Sequence, residues 1–95
     1  MFRRIEQPQG LISVLLDQTA PIADRIEAAQ DLGPYDQALP VLIEAAQNAA
    51  EDDWVAESLG ESIAEIRKRV GGFDRELVAR MHTAAQAEIG LFFKL

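Results

Sequence analysis

The chain contains no cysteine. Disulfides and thiolate metal sites are therefore excluded, as suits a reducing cytosol. Its single histidine, His82, leaves too few ligands for a zinc site. Basic residues are also scarce: nine Lys and Arg stand against sixteen Asp and Glu, a formal charge of −7. The pI is about 4.5. Phosphate binding needs clustered Lys and Arg, so nucleic acid and anionic membranes are poor ligands for this composition. Long apolar runs are missing as well. The longest stretch near the amino terminus, Leu11–Leu16, is interrupted by Ser13 and is too short for a signal-peptide core or a membrane span. The charged start Met1-Phe2-Arg3-Arg4-Ile5-Glu6 looks like a signal region but is broken by Glu6, Pro8 and Gly10. The expectation is a soluble, cytoplasmic protein. Sustained two-residue alternation is absent, which predicts no sheet. There is no glycine-rich loop ending in Lys-Ser/Thr that would cradle phosphates.

What remains is helical periodicity. A hydrophobic content of 48% is enough for a packed core in a single domain over residues 1–95. Apolar spacing and breakers predict about five helices. The first spans residues 8–16, and the second runs from Pro21 to Leu32. Pro21 sits where a missing N–H costs nothing, and Gly33 before Pro34 suits a left-handed closing turn. Ala28 and Ala29 are small enough to let another helix approach closely. Asp36 is the expected N-cap of the third helix, whose core residues are Leu39, Leu42, Ile43 and Ala46. Pro40 falls early enough to be tolerated. Glu51-Asp52-Asp53 places acids at the positive end of the fourth helix, and Arg67-Lys68-Arg69 places cations at its negative end. The core stripe there is Val55, Leu59, Ile63, Ile66 and Val70. Gly71-Gly72 ends it. Asp74 caps a fifth helix, Phe73 staples against Val78, and the apolar set continues through Leu77, Met81, Ala85 and Ile89.

A weak internal repeat runs through this pattern. Tyr35-Asp36-Gln37-Ala38-Leu39 echoes Phe73-Asp74-Arg75-Glu76-Leu77 at an offset of 38 residues, and Ile22, Ile26 and Ala29 align with Val55, Leu59 and Ser62 at an offset of 33. The series L-I-x-x-L-L-D from Leu11, R-x-x-A-A-x-x-L-G from Arg25 and A-L-P-x-L-I from Ala38 resembles a short bacterial HEAT repeat. VAESLGESIAEI from Val55 resembles the first helix of a second unit, with Ser58 where Arg25 aligns. The resemblance implies an all-α fold, a short right-handed α-solenoid of roughly two and a half helical pairs. It implies protein binding as the usual work, with an inner face formed by the third and fifth helices. A bilin-lyase-like accessory role occurs in a subset of that family, without a distinctive residue of it here.

Candidate residues follow from the charge pattern. Asp53, Glu57, Glu61 and Glu65 recur every four residues and form one stripe opposite the core set. Only Glu65 has a cation four residues on, Arg69. Like charges at this spacing oppose the helix by a few tenths, about 0.2–0.5 kcal/mol, per pair. Trp54 projects with Glu61 and Glu65, the composition of an interface hot spot. The competing readings are a solvated outer face for the acids and a lid over the neighbouring helix for Trp54. Arg25 reads as structural, tying helices through an acid or a carbonyl, with Asp17 and Asp24 in plausible reach. Phe92-Phe93 reads either as a cover for the open solenoid end or as a dimer contact. His82 has no nucleophile arranged with it, so no catalytic residue, cofactor or metal is assigned. Asp53, Trp54, Glu57, Glu61 and Glu65 are accordingly the expected partner-binding residues. The expected partner is a basic protein surface, in the manner of an immunity-type inhibitor of a toxin. A scaffold or homodimer built through the carboxyl-terminal helix is the alternative.

Overall fold

The computed structural model describes residues 6–94, so the charged segment Met1–Ile5 weighed above lies outside the described residues. Six α-helices are present among the described residues: α1 Gln9–Leu16, α2 Ile22–Asp31, α3 Leu39–Ala46, α4 Asp53–Val70, α5 Arg75–Ala79 and α6 Thr83–Phe93. A 3₁₀ turn, Asp36–Ala38, leads into α3. There is no strand among the described residues. None of the helices is long and apolar enough to cross a membrane.

The local signals act where the chain needs them, with four corrections. Asp52 caps α4, accepting hydrogen bonds from the Trp54 and Val55 amides. Asp74 caps α5 through Glu76 and Leu77. Gly71 and Gly72 take φ of 76° and 80°, the left-handed region that glycine enters without steric cost. Gly33 does not: α2 closes by tight turns, with the Gly33 amide donating to the Gln30 carbonyl. Gly33 is buried against the Glu65 carboxylate, the mobile end of a side chain that would have to shift for a Cβ there. Asp36 does not cap α3, because its carboxylate instead accepts two hydrogen bonds from Arg69. The predicted fifth helix is two helices. The chain breaks over residues 80–82, and His82 becomes the N-cap of α6, its Nδ1 accepting from the Ala84 amide. Finally, Val70 leaves the core stripe and is 52% exposed, since it closes α4 beyond the reach of its neighbours.

The core runs from Leu15 through Leu32, Leu42, Leu59 and Ile66 to Ile89. Helix α4 is its axis and packs against α2, α3 and α6. On the α2 side, Ser62 donates its hydroxyl to the Ala29 carbonyl, and Ala28 and Ala29 are buried as their size suggested. On the α6 side, Gly60 lies so close to Ala85 that an added Cβ would stand 2.6 Å from the Ala85 carbonyl oxygen. Gly60 and Ser62 are two positions apart in sequence, which puts them about 160° apart around α4. Helices α2 and α6 therefore flank α4 from nearly opposite sides. The molecule measures 49 × 27 × 16 Å. With helix axes about 8–10 Å apart, the short dimension holds two layers of helices at most.

Candidate partner-binding face

Three neighbours surround α4 and leave one strip of it facing outward. That strip carries Trp54, Glu57, Glu61 and Glu65, all exposed, with Asp53 at its head. Trp54 is 72% exposed, so it is no lid over a neighbouring helix. The reason is local: Asp52 fixes the first turn, and Val55, not Trp54, then points into the core.

The five expected residues do not act alike. Asp53 leans back, its Oδ1 lying 3.2 Å from His82 Nε2. Glu65 sits 3.6 Å from Arg69 and against Gly33. Glu57 and Glu61 have no ion pair among the described residues. They face a third carboxylate from α6, Glu88. Partial burial, then the charges of Glu57 and Glu61, hold the Glu88 carboxyl above the usual carboxylate range. The acidic strip of α4 is therefore widened at Glu57 and Glu61 by a carboxylate of a second helix, Glu88. Glu88 was missed from the sequence. The only pointer was a small-residue match, Gly60 with Ala85, that sets α6 against α4.

Beneath the head of this strip lies a buried polar hub that the sequence did not reveal. Arg25 Nη1 and Nη2 donate to Glu51 Oε1 and Oε2 at 3.0 and 2.6 Å. Arg25 Nε donates to the Leu15 carbonyl at 3.0 Å. Arg25 is thus structural as expected, but its acid is Glu51, not Asp17 or Asp24. Asp17 is occupied by its own turn, accepting from the Thr19 amide and hydroxyl, which holds its carboxyl below the usual range. Burial works to raise the Glu51 carboxyl. The Arg25 guanidinium and the Asp52 amide outweigh it, and the net direction is downward. The Glu51 carbonyl receives the His82 Nε2–H at 3.0 Å, and the His82 amide donates to the Ala46 carbonyl at 2.7 Å. Because the Ala84 amide donates to Nδ1, the neutral ring carries its proton on Nε2. Nε2 thus ties α6 to the loop before α4, while Nδ1 caps α6 itself. Among the described residues no group of three His, Asp or Glu is arranged to hold a metal ion.

At the far end, Phe93 packs on Phe73 with ring centroids 4.9 Å apart, and Lys68 Nζ lies 5.2 Å from the Phe92 ring centroid. Both phenylalanines are partly buried against the core, the covering role among the two considered. No family model, curated protein or solved structure matches this chain.

Proposed function

We propose that this chain is a non-enzymatic, cytoplasmic protein-binding module that uses the Trp54–Glu57–Glu61–Glu88 face to cover a basic surface of a partner. The concrete form is a small acidic inhibitor or adaptor of the immunity type, whose partner is a toxin with an exposed Lys- and Arg-rich surface. The observation that carries this is Trp54, 72% exposed on the same strip as Glu57 and Glu61, which face Glu88 and, like it, have no ion pair among the described residues. Holding like charges together costs stability and is the arrangement that a cationic partner relieves. An exposed Trp supplies the apolar anchor such interfaces use.

The order of contacts is compatible with a HEAT-like solenoid as the scaffold, the right-handed sense of which is part of the proposal. Each odd-numbered helix pairs with the next, α1 with α2, α3 with α4 and α5 with α6, and the even helices stack as α2, α4, α6. Affinity capture from host lysate at low and high salt is the test. A basic partner retained at low salt is expected to be lost with Glu57→Lys/Glu61→Lys and weakened at least about tenfold by Trp54→Ala. Glu44→Lys, on α3, should leave it bound. Retention of the partner by the double Glu→Lys variant would reject this face as the binding site.

A further inference from the structure

The two ends of the helical stack are complementary to each other. Helices α1 and α2 enclose a groove of about 230 Å³ lined by Leu11, Val14, Asp24, Glu27, Ala28 and Asp31. Its floor is apolar and its rim is three carboxylates. No residue of α3 or α4 contributes to it, so it faces away from the rest of the stack. Helices α5 and α6 enclose a larger groove of about 510 Å³, which includes Arg75, Val78, Ala79, Ala87 and Leu91. It too is lined only by its own pair and faces the opposite way, because α2 and α6 flank α4 from opposite sides. Here the floor is again apolar, the rim charge is a guanidinium, and Leu91 stands 74% exposed.

Lys and Arg are unevenly spread along the chain. Between Glu6 and Ile66 the only Lys or Arg is Arg25, and it is buried on Glu51. The remaining cations of the described residues are Arg67, Lys68, Arg69, Arg75, Arg80 and Lys94. The end formed by α5 and α6 is not basic overall, since Asp74, Glu76 and Glu88 balance Arg75, Arg80 and Lys94, so the complementarity lies in the grooves themselves: three carboxylates line one and Arg75 is the charged residue of the other. The chain already uses this pairing internally. Arg69, late in α4, reaches back to Asp36 and the Gly33 carbonyl just after α2.

We infer that the α5–α6 end of one copy docks on the α1–α2 end of a second copy, extending the stack head to tail. Leu91 enters the apolar floor formed by Leu11, Val14 and Ala28, and Arg75 pairs with the Asp24–Glu27–Asp31 rim. The two surfaces differ, so the contact is heterologous and continues beyond a dimer unless the rotation per copy closes a ring. The outward strip of α4 is left uncovered, so this inference does not depend on the partner-binding reading above. The Arg75 pairing within it is electrostatic and is weakened by salt.

Sedimentation velocity on the full chain tests it, over rising concentration at about 0.02 M and about 0.5 M salt. The expected result at low salt is a mass average that rises past monomer and past dimer, and that falls back at high salt. Arg75→Glu alone and Glu27→Arg alone each place like charges across the contact and should remain monomeric. An equimolar mixture of the two variants restores opposite charges at every junction and should assemble again. Leu91→Ser should shift the half-assembly concentration at least tenfold upward. Circular dichroism identical to the parent establishes that each variant is folded. A monomer at every concentration at low salt, a dimer that grows no further and is untouched by the reversals, or a mixture that stays monomeric would each overturn the inference.

Discussion

At the scale of single residues, the Arg25–Glu51 pair decides the most. Both side chains are buried, and together they tie α1 through the Leu15 carbonyl, α2 through Arg25, and the loop before α4 through Glu51. Removing one member of a buried pair leaves the other charge unpaired, which costs about 3–5 kcal/mol. Arg25→Met and Glu51→Gln are each expected to lower unfolding free energy by about that much in urea titrations. The pair also sets an acid limit. The folded Glu51 carboxyl titrates below its unfolded value, so its contribution is fully present above the ordinary Glu range of about 4.3. It is lost as pH falls through the lower folded value. Urea midpoints measured downward from pH 6 should fall steeply in that window for the parent and much less for Glu51→Gln. That Arg25 is structural was legible in its repeat context. Its acid was not, because Glu51 lies 26 residues away and is brought in by the turn after α3.

At the scale of elements, α4 shows why the predicted helices survived and one boundary did not. Caps and glycine stops are local, and Asp52, Asp74 and Gly71 act within four residues of the groups they serve. The break between α5 and α6 has no such marker. The apolar spacing from Leu77 to Ile89 reads straight through it. The chain turns there because the His82 amide and ring find acceptors on Ala46 and Glu51, outside its own segment. His82→Ala removes the cap and the ring hydrogen bond and is expected to cost about 1–2 kcal/mol. His82→Asn, which can still cap, should cost less, and thermal unfolding of the two variants checks the order. Gly60 is the other constraint on this pair of helices. Gly60→Ala would normally favour a helix by about 1 kcal/mol. Against the Ala85 backbone it is expected to destabilise instead, by about 1–3 kcal/mol, and a stabilised variant would show that α4 and α6 are not in this contact.

At the scale of the whole molecule, charge is arranged by the stacking of helices. Glu88 joins Glu57 and Glu61 only because α6 lies against α4. Its raised titration range has a definite sign. The ionised form is penalised above the folded value, and the penalty disappears as pH falls below the unfolded one. A cationic partner favours the ionised form and expels the proton. Affinity for a basic partner is therefore expected to strengthen as pH rises from the ordinary carboxylate range through the higher Glu88 range. Glu88→Gln should flatten that profile in titration calorimetry, and an unchanged slope would remove Glu88 from the interface.

The sequence by itself determined the helical class, the Asp74 cap, the glycine stop after α4, and which face of α4 is apolar. Each of these depends on residues within a turn or two of one another, so spacing and composition suffice. Trp54 is a borderline case: its position on the strip was readable, but its exposure depended on where α2 and α6 came to rest. Only the tertiary structure decided the acid that holds Arg25, the division of α5 from α6, and the addition of Glu88 to the acidic strip at Glu57 and Glu61. Those are contacts between groups far apart along the chain. They are selected by how closely Ala29 and Ser62, and Gly60 and Ala85, allow the helices to pack, and no local pattern encodes that distance.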